Sequence, residues 1–239
     1  MKSLLKFPLL VAVATMMSCS FSACSDNDDP TPDTGTSETD AKFEAIAKQY
    51  LDHTVYVTYK NLADETEQLV KDLQALKSSK TDANVKATCE TFLEARAWWE
   101  KSEAFLYGAA TDFGIDPHID SWPLDLDGLQ TALKNTEQVE AMGGEDGDIY
   151  AGEKLGNSLL GFHGIEYILF EDGSPKSVSK ISDLHLTYAV AVAGDLRNRC
   201  WQLELSWRGE SAVNADRVAK VANELELPYT VNSGEYSYG

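Results

Sequence analysis

The sequence predicts an all-α protein, an up-and-down helical bundle, and three observations carry that prediction. From Asp40 onward apolar side chains recur at intervals of three and four residues, the period of one helix face. Nowhere in that stretch is there a convincing run of alternating apolar and polar residues, or a hairpin signal. The body holds only Cys89 and Cys200 and no CxxC pair, so no disulfide framework or cysteine-bound metal knot supports it. Whether those two cysteines pair stays open. About 190 residues in long helices with short connections suffice for one bundle with its own core.

Ahead of the body, Lys2 and Lys6 flank and precede an apolar run over residues 7–17, too short to span a bilayer comfortably. This is the pattern of a signal peptide over residues 1–23. It leads into Phe21-Ser22-Ala23-Cys24, where small residues before a cysteine resemble a lipobox and the thiol is the group that accepts a diacylglycerol. Cys19 is the weaker alternative. Residues 24–39 are acidic, rich in Ser, Thr and Pro, and nearly free of apolar side chains; they read as a disordered acidic tether. Its acidic start resembles the export signal that carries some lipoproteins of Bacteroides-type bacteria to the outer face of the outer membrane. The expected location is therefore a bacterial outer membrane, with the body facing the surface or the periplasm. Two or more acyl chains make such an anchor stable.

Removal of residues 1–23 takes away two lysines and no acid, leaving 18 basic against 39 acidic side chains and a net charge of −21. That surface repels nucleic acid and anionic lipid. It favours cations, or it is a solubility device.

The elements of the body, residues 40–239, follow in order. A first helix is predicted over residues 40–77, with Phe43, Ile46, Tyr50, His53 and Val57 on one stripe and Leu62, Thr66, Leu69, Leu73 and Leu76 on a later one. A second is predicted over residues 82–108, capped by Asp82 and ended by Gly108. Gly114, Pro117 and Pro123 make the next segment irregular, and a short helix follows to Ala141. A glycine-rich acidic loop, MGGEDGDIYAGE, precedes helices over residues 153–170, 177–207 and 211–227.

Two helices place charge on apolar seams. In the second, Val85, Cys89, Phe92, Arg96, Trp99, Glu103 and Leu106 form one stripe, so Arg96 and Glu103 need partners or a polar cavity. An ion pair internal to the bundle would also satisfy them. In the helix over 153–170, His163 and Glu166 leave one face three residues apart, with Gly161 and Gly164 on either side of the histidine. An imidazole and a carboxylate at that spacing can share a metal ion, or act as a base and its orienting partner. Both side chains are expected on the core side. His53, His118 and His185 have no local companion pattern; His118 lies beside Asp116 and Asp120 in the irregular DPHID stretch.

These residues carry a resemblance. GFHGIEYILF, residues 161–170, resembles the GxHxxE signature of the imelysin family, which is classed with insulin-cleaving bacterial surface peptidases. ARAWWEKSEAFLYG, residues 95–108, and SWPLD, residues 121–125, resemble two further segments of that family. The resemblance implies two helical bundles related by internal duplication, with a site near their interface. It carries Gly161, His163 and Glu166 into the motif, with Arg96, Glu103, Trp122 and Asp125 as neighbours. The chain ends at VNSGEYSYG, where members of the family continue into another bundle, so it is expected to represent the first half.

Two functions follow. The first is a surface lipoprotein that holds a metal ion or small ligand through His163, Glu166, Glu103 and Asp125, in iron uptake; oxygen donors with one imidazole suit iron or another divalent ion, zinc included. The second is a metallopeptidase of the imelysin type, with Glu166 as its candidate catalytic residue. A zinc hydrolase needs three protein ligands and an open position, and the chain has no HExxH. Binding therefore ranks above proteolysis, and a purely structural role for the motif is the third alternative.

Overall fold

A computed structural model describes residues 37–231 and 237–239. The signal peptide, Cys24 and all of the tether except residues 37–39 lie outside the described residues. Residues Lys42–Gly239 form the compact unit considered below.

The chain enters as α1 (Glu38–Tyr50), passes through a π-helical turn, Leu51–Val55, and continues as α2 (Tyr56–Ser78) without leaving helical backbone. The helix thus begins two residues earlier than the sequence suggested. The two apolar stripes have different fates. The later one is the core face of α2, where Tyr59, Leu62, Thr66, Leu69, Leu73 and Leu76 are buried. Among the described residues the earlier one is largely uncovered: α1 buries no residue, Phe43 and Ile46 are 66% and 62% exposed, and only Tyr50, edge-on to Phe105, meets another ring.

Helix α3 (Asp82–Ser102) is capped by Thr81, whose hydroxyl accepts the Asn84 N–H at 3.1 Å. Its stripe of Val85, Cys89, Phe92 and Trp99 is buried and packs on α2. The helix does not run to Gly108. It tightens at Glu103–Phe105 into a 3-10 turn, which rotates Glu103 off the seam and into solvent.

Two short helices follow, α4 (Ala109–Asp112) and α5 (Ile115–Ile119), then an irregular stretch with a cis Trp122–Pro123 bond. The next predicted helix is two, α6 (Leu126–Lys134) and α7 (Thr136–Ala141). The acidic glycine loop gives way to α8 (Gly147–Lys154), earlier than expected, and a 3-10 turn at Asn157–Leu159 separates it from α9 (Gly161–Leu169).

A hairpin, which the sequence reading missed, closes α9. Strands β1 (Phe170–Glu171) and β2 (Ser174–Pro175) pair antiparallel, Phe170 with Pro175 and Glu171 with Ser174. Asp172 and Gly173 both have positive φ, 50° and 73°, the geometry of a two-residue type I′ turn. Strands two residues long offer no alternation to read, so only the Asp-Gly pair marked the turn.

The long central helix, α10 (Asp183–Arg208), starts at a capping box in which Ser182 and His185 bond reciprocally. Residues 191–196 are all buried, so this helix is covered on every side. It packs against α2, α8 and α9. The last helix, α11 (Ala215–Val218), runs into a π-helical segment, Ala219–Glu224. Arg217 on α11 donates to Glu204 of α10 at 2.7 Å and to Asp64 and Glu67 of α2 at 2.6 and 2.8 Å. Among the described residues no helix is long and apolar enough to cross a membrane. Cys89 and Cys200 are buried free thiols.

Candidate functional site

The site begins where two backbones touch. Gly161 opens α9 at φ +63°, and a Cβ there would lie 1.9 Å from the carbonyl oxygen of Ile119 at the end of α5. No side chain fits that gap, and L-residues rarely adopt that φ. A Cβ on Gly164 would lie 2.7 Å from the Leu159 carbonyl oxygen. The glycines of the motif are thus what lets α9 start against α5, and this brings the residue after Ile119 beside His163.

That residue is Asp120, and it is the hub of the site. Trp99 Nε1 donates to its Oδ2 at 2.7 Å. The Arg96 guanidinium donates to Oδ1, and His163 Nε2 lies 3.1 Å from the same oxygen. His163 Nδ1 is 3.1 Å from Glu166 Oε2, and Arg96 Nη2 is 2.6 Å from Glu100 Oε1. The order Glu100, Arg96, Asp120, His163, Glu166 is a chain of alternating charge running from α3 through the end of α5 to α9. The Arg96 guanidinium also sits 5.2 Å from the centroid of the buried Phe162 ring, a cation–π contact.

The electrostatics follow from this chain. Burial alone would raise the Asp120 pKa, but hydrogen bonds from His163, Arg96 and Trp99 outweigh it and hold the carboxyl at about 2. His163 is held above its ordinary value, first by the bond to Asp120, which overcomes desolvation, and then by Glu166. With a carboxylate on each ring nitrogen, the imidazole serves best as an imidazolium that donates twice. Arg96 is likewise raised, its desolvation outweighed by Asp120 and Glu100.

Over this network opens a pocket of ≈ 630 Å³. Its floor is Arg96, Asp120 and His163. One wall is Trp122, 73% exposed, with its ring centroid 4.8 Å from that of His163. Tyr167 and Phe170 add apolar lining, and Glu171 to Gly173 of the hairpin tip line the pocket as well.

The sequence-predicted residues are distributed as follows. Arg96, Trp122, His163 and Glu166 line the pocket, and Gly161 makes it possible. Glu166 is not on the core side; its side chain is 52% exposed. Glu103 and Asp125 do not line the pocket. Asp125 is spent as the N-cap of α6, accepting the Gly128 N–H at 2.9 Å. Asp120 was missed, because an acid in an irregular segment has no periodicity to betray its direction; its place beside His118 in DPHID was the one available hint.

The donor set does not fit a directly coordinated metal ion. Both nitrogens of His163 and both oxygens of Asp120 are engaged within the chain, and the cationic Arg96 stands beside them. Of the acids lining the pocket, Glu166, Glu171 and Asp172 keep a carboxylate oxygen outside this chain of bonds, but they are not gathered around one point. Accordingly, among the described residues no group of three or more His, Cys, Asp or Glu is arranged to hold a metal.

An all-α body with a charged network under a GxHxxE pocket defines a class of helical domain, and comparison with known proteins gives the family. The imelysin sequence model matches residues 55–232, and the chain belongs to the imelysin family. It is 31% identical over 163 residues to iron-regulated protein A of Synechococcus elongatus, a match covering 68% of this chain and 40% of that protein. A crystal structure described as an iron-regulated protein A precursor from Parabacteroides distasonis superposes with a TM-score of 0.63 at 26% identity, covering 82% of this chain and 54% of the other. An imelysin-like protein from Psychrobacter arcticum shares the fold at a TM-score of 0.56 and 16% identity, over 75% and 54% of the two chains. The chain therefore spans about half the length of the solved relatives, and less of the curated one.

Proposed function

We propose that this chain is the ligand-binding body of a surface lipoprotein, anchored through lipid on Cys24 to a bacterial outer membrane, and that its pocket takes a small iron-bearing or iron-chelating ligand in iron uptake. The pocket's volume falls in the usual range for small-molecule sites, about 300–1,000 Å³, and it combines an aromatic wall with a charged floor. The observation that carries the reading is the engagement of both ring nitrogens of His163. A bare ion would have to break the charge chain to reach them, whereas a chelate brings its own donors and needs only hydrogen bonds and stacking. The iron-regulated relatives support the iron part of the reading.

The test is calorimetry with three probes: ferric citrate, ferrous salt and zinc salt. Saturable binding of the chelate, weakened tenfold or more in His163→Ala, is expected. Tight binding of a bare ion that is lost in the same variant would instead establish direct coordination. No binding of any probe would remove the iron reading.

Proteolysis ranks second. The family name supports it, but a metal hydrolase needs about three protein ligands and an open position, and neither Glu103, which faces solvent, nor Asp125, which caps α6, lines the pocket. Metal-dependent cleavage of an unfolded protein, abolished in Glu166→Gln, would reverse the order.

A further inference from the structure

Asp120 organises the pocket, yet little backbone structure holds it. It caps α5, a helix of five residues, through one bond from its N–H to the Asp116 carbonyl at 3.0 Å. The stretch after it is irregular until Asp125 N–H reaches the Ser158 carbonyl at 3.2 Å. A helix this short does not sustain itself. Its apolar anchors, Ile115 and Ile119, are fully buried, but burial is non-directional and fixes depth better than rotation.

Apart from the bonds of Asp120 itself, one directional side-chain tie joins this helix to the bundle among the described residues. His118 Nε2 lies 2.7 Å from Asp195 Oδ2 on α10, with side chains only 11% and 6% exposed. Asp195 is itself wedged, because a Cβ on Gly152 of α8 would lie 2.3 Å from Asp195 Oδ1. The carboxylate therefore has α8 packed close behind it. From this fixed point, His118 and Asp120 are two residues apart, and Asp120 must meet donors from α3 and α9 together.

We infer that the His118–Asp195 pair is a positioning device for the pocket: it sets the rotation of α5 against α10 so that Asp120 stands where Arg96, Trp99 and His163 can all reach it. Neither residue touches the ligand. The importance of the pair for binding rests on the function proposed above, whereas its effect on Asp120 does not.

The Trp99 indole separates these two. Its N–H donates to Asp120, so its amide-type proton–nitrogen NMR signal reports that bond. Trp99→Phe assigns the signal among the five tryptophans, and Asp120→Asn gives the position of the broken state. In the full chain, His118→Leu is expected to move the signal toward that position and to weaken ferric citrate binding at least tenfold. His118→Gln, which keeps a donor of similar reach, is expected to retain the signal and stay within threefold in affinity. If His118→Leu fails to fold, His118→Asn, polar but too short to reach Asp195, reads the same displacement. An unmoved Trp99 signal in whichever of these two folds overturns the inference, even if the melting temperature falls. Should wild type bind no probe, the iron reading fails while the indole signal still decides the positioning role.

Discussion

Gly161 and Ile119 meet backbone to backbone, with no space for a side chain between α9 and the end of α5. Gly161→Ala combines a backbone clash with an unfavourable φ and is expected to cost on the order of 3 kcal/mol or more. Gly173, at φ +73° with open space around it, makes the control: Gly173→Ala pays only the left-handed backbone cost, about 1–2 kcal/mol. Thermal unfolding followed by circular dichroism checks the order; equal effects would show that the close approach does not matter.

Asp120→Asn keeps the shape of the hub and removes its charge. Arg96 retains Glu100 and His163 retains Glu166, so the loss is partial, about 2–4 kcal/mol. A double-mutant cycle with His163→Gln should give a coupling of about 1–2 kcal/mol, read by urea denaturation. Additive losses would mean that the two groups do not share an interaction.

The network's contribution to stability depends on pH in opposite ways at its two centres. The folded pKa of Asp120 is depressed to about 2 from 3.8, so its share, about 1–2 kcal/mol after solvent screening, is whole above about pH 4 and lost as pH falls toward 2. The folded pKa of His163 is raised above 6.5, so its share is whole below about pH 6.5 and fades as pH rises through the raised value. The melting-temperature gap between wild type and His163→Gln is expected to be widest below about pH 6.5 and to narrow as pH rises through the raised pKa. A gap that widens with pH would contradict the imidazolium reading.

Trp122 is an exposed wall residue, so Trp122→Ala should change stability by less than about 0.5 kcal/mol. Its loss should nevertheless weaken ferric citrate binding about tenfold by removing a stacking face. Wild-type affinity in this variant would exclude the indole from the binding surface.

Burial pushes the Cys89 thiol up to about 12 and raises that of Cys200 further. With Cys19 and Cys24 replaced by Ser, both buried thiols should resist a thiol-specific dye in the folded chain and react fully in denaturant, without added reductant. One labelled equivalent in the folded state would contradict the buried placement.

Much of the fold was legible because α2, α3 and α10 are long enough for a 3.6-residue period to declare itself. The helical face of Val85, Cys89, Phe92 and Trp99 was read residue by residue. The period misled where the chain left regular geometry: Glu103 continues the stripe on paper but falls in a 3-10 turn, and Phe43 and Ile46 form a stripe that nothing described here covers. The site was legible in its helical half, Arg96, His163 and Glu166, and illegible at Asp120 and Asp195. Asp120 acts from a loop, and Asp195 is a buried acid whose only signal is a histidine 77 positions away.

The hairpin at 170–175 separates two kinds of work. Its tip shapes the pocket mouth but contributes no buried residue to the bundle, while the charged floor is built from helices that cannot change without cost to the core. Changes at Glu171 or Ser174, with the Asp172-Gly173 turn kept, would redraw the outline of the pocket mouth at little cost to folding. The outline of the pocket mouth is thus separable from the charged chain beneath it.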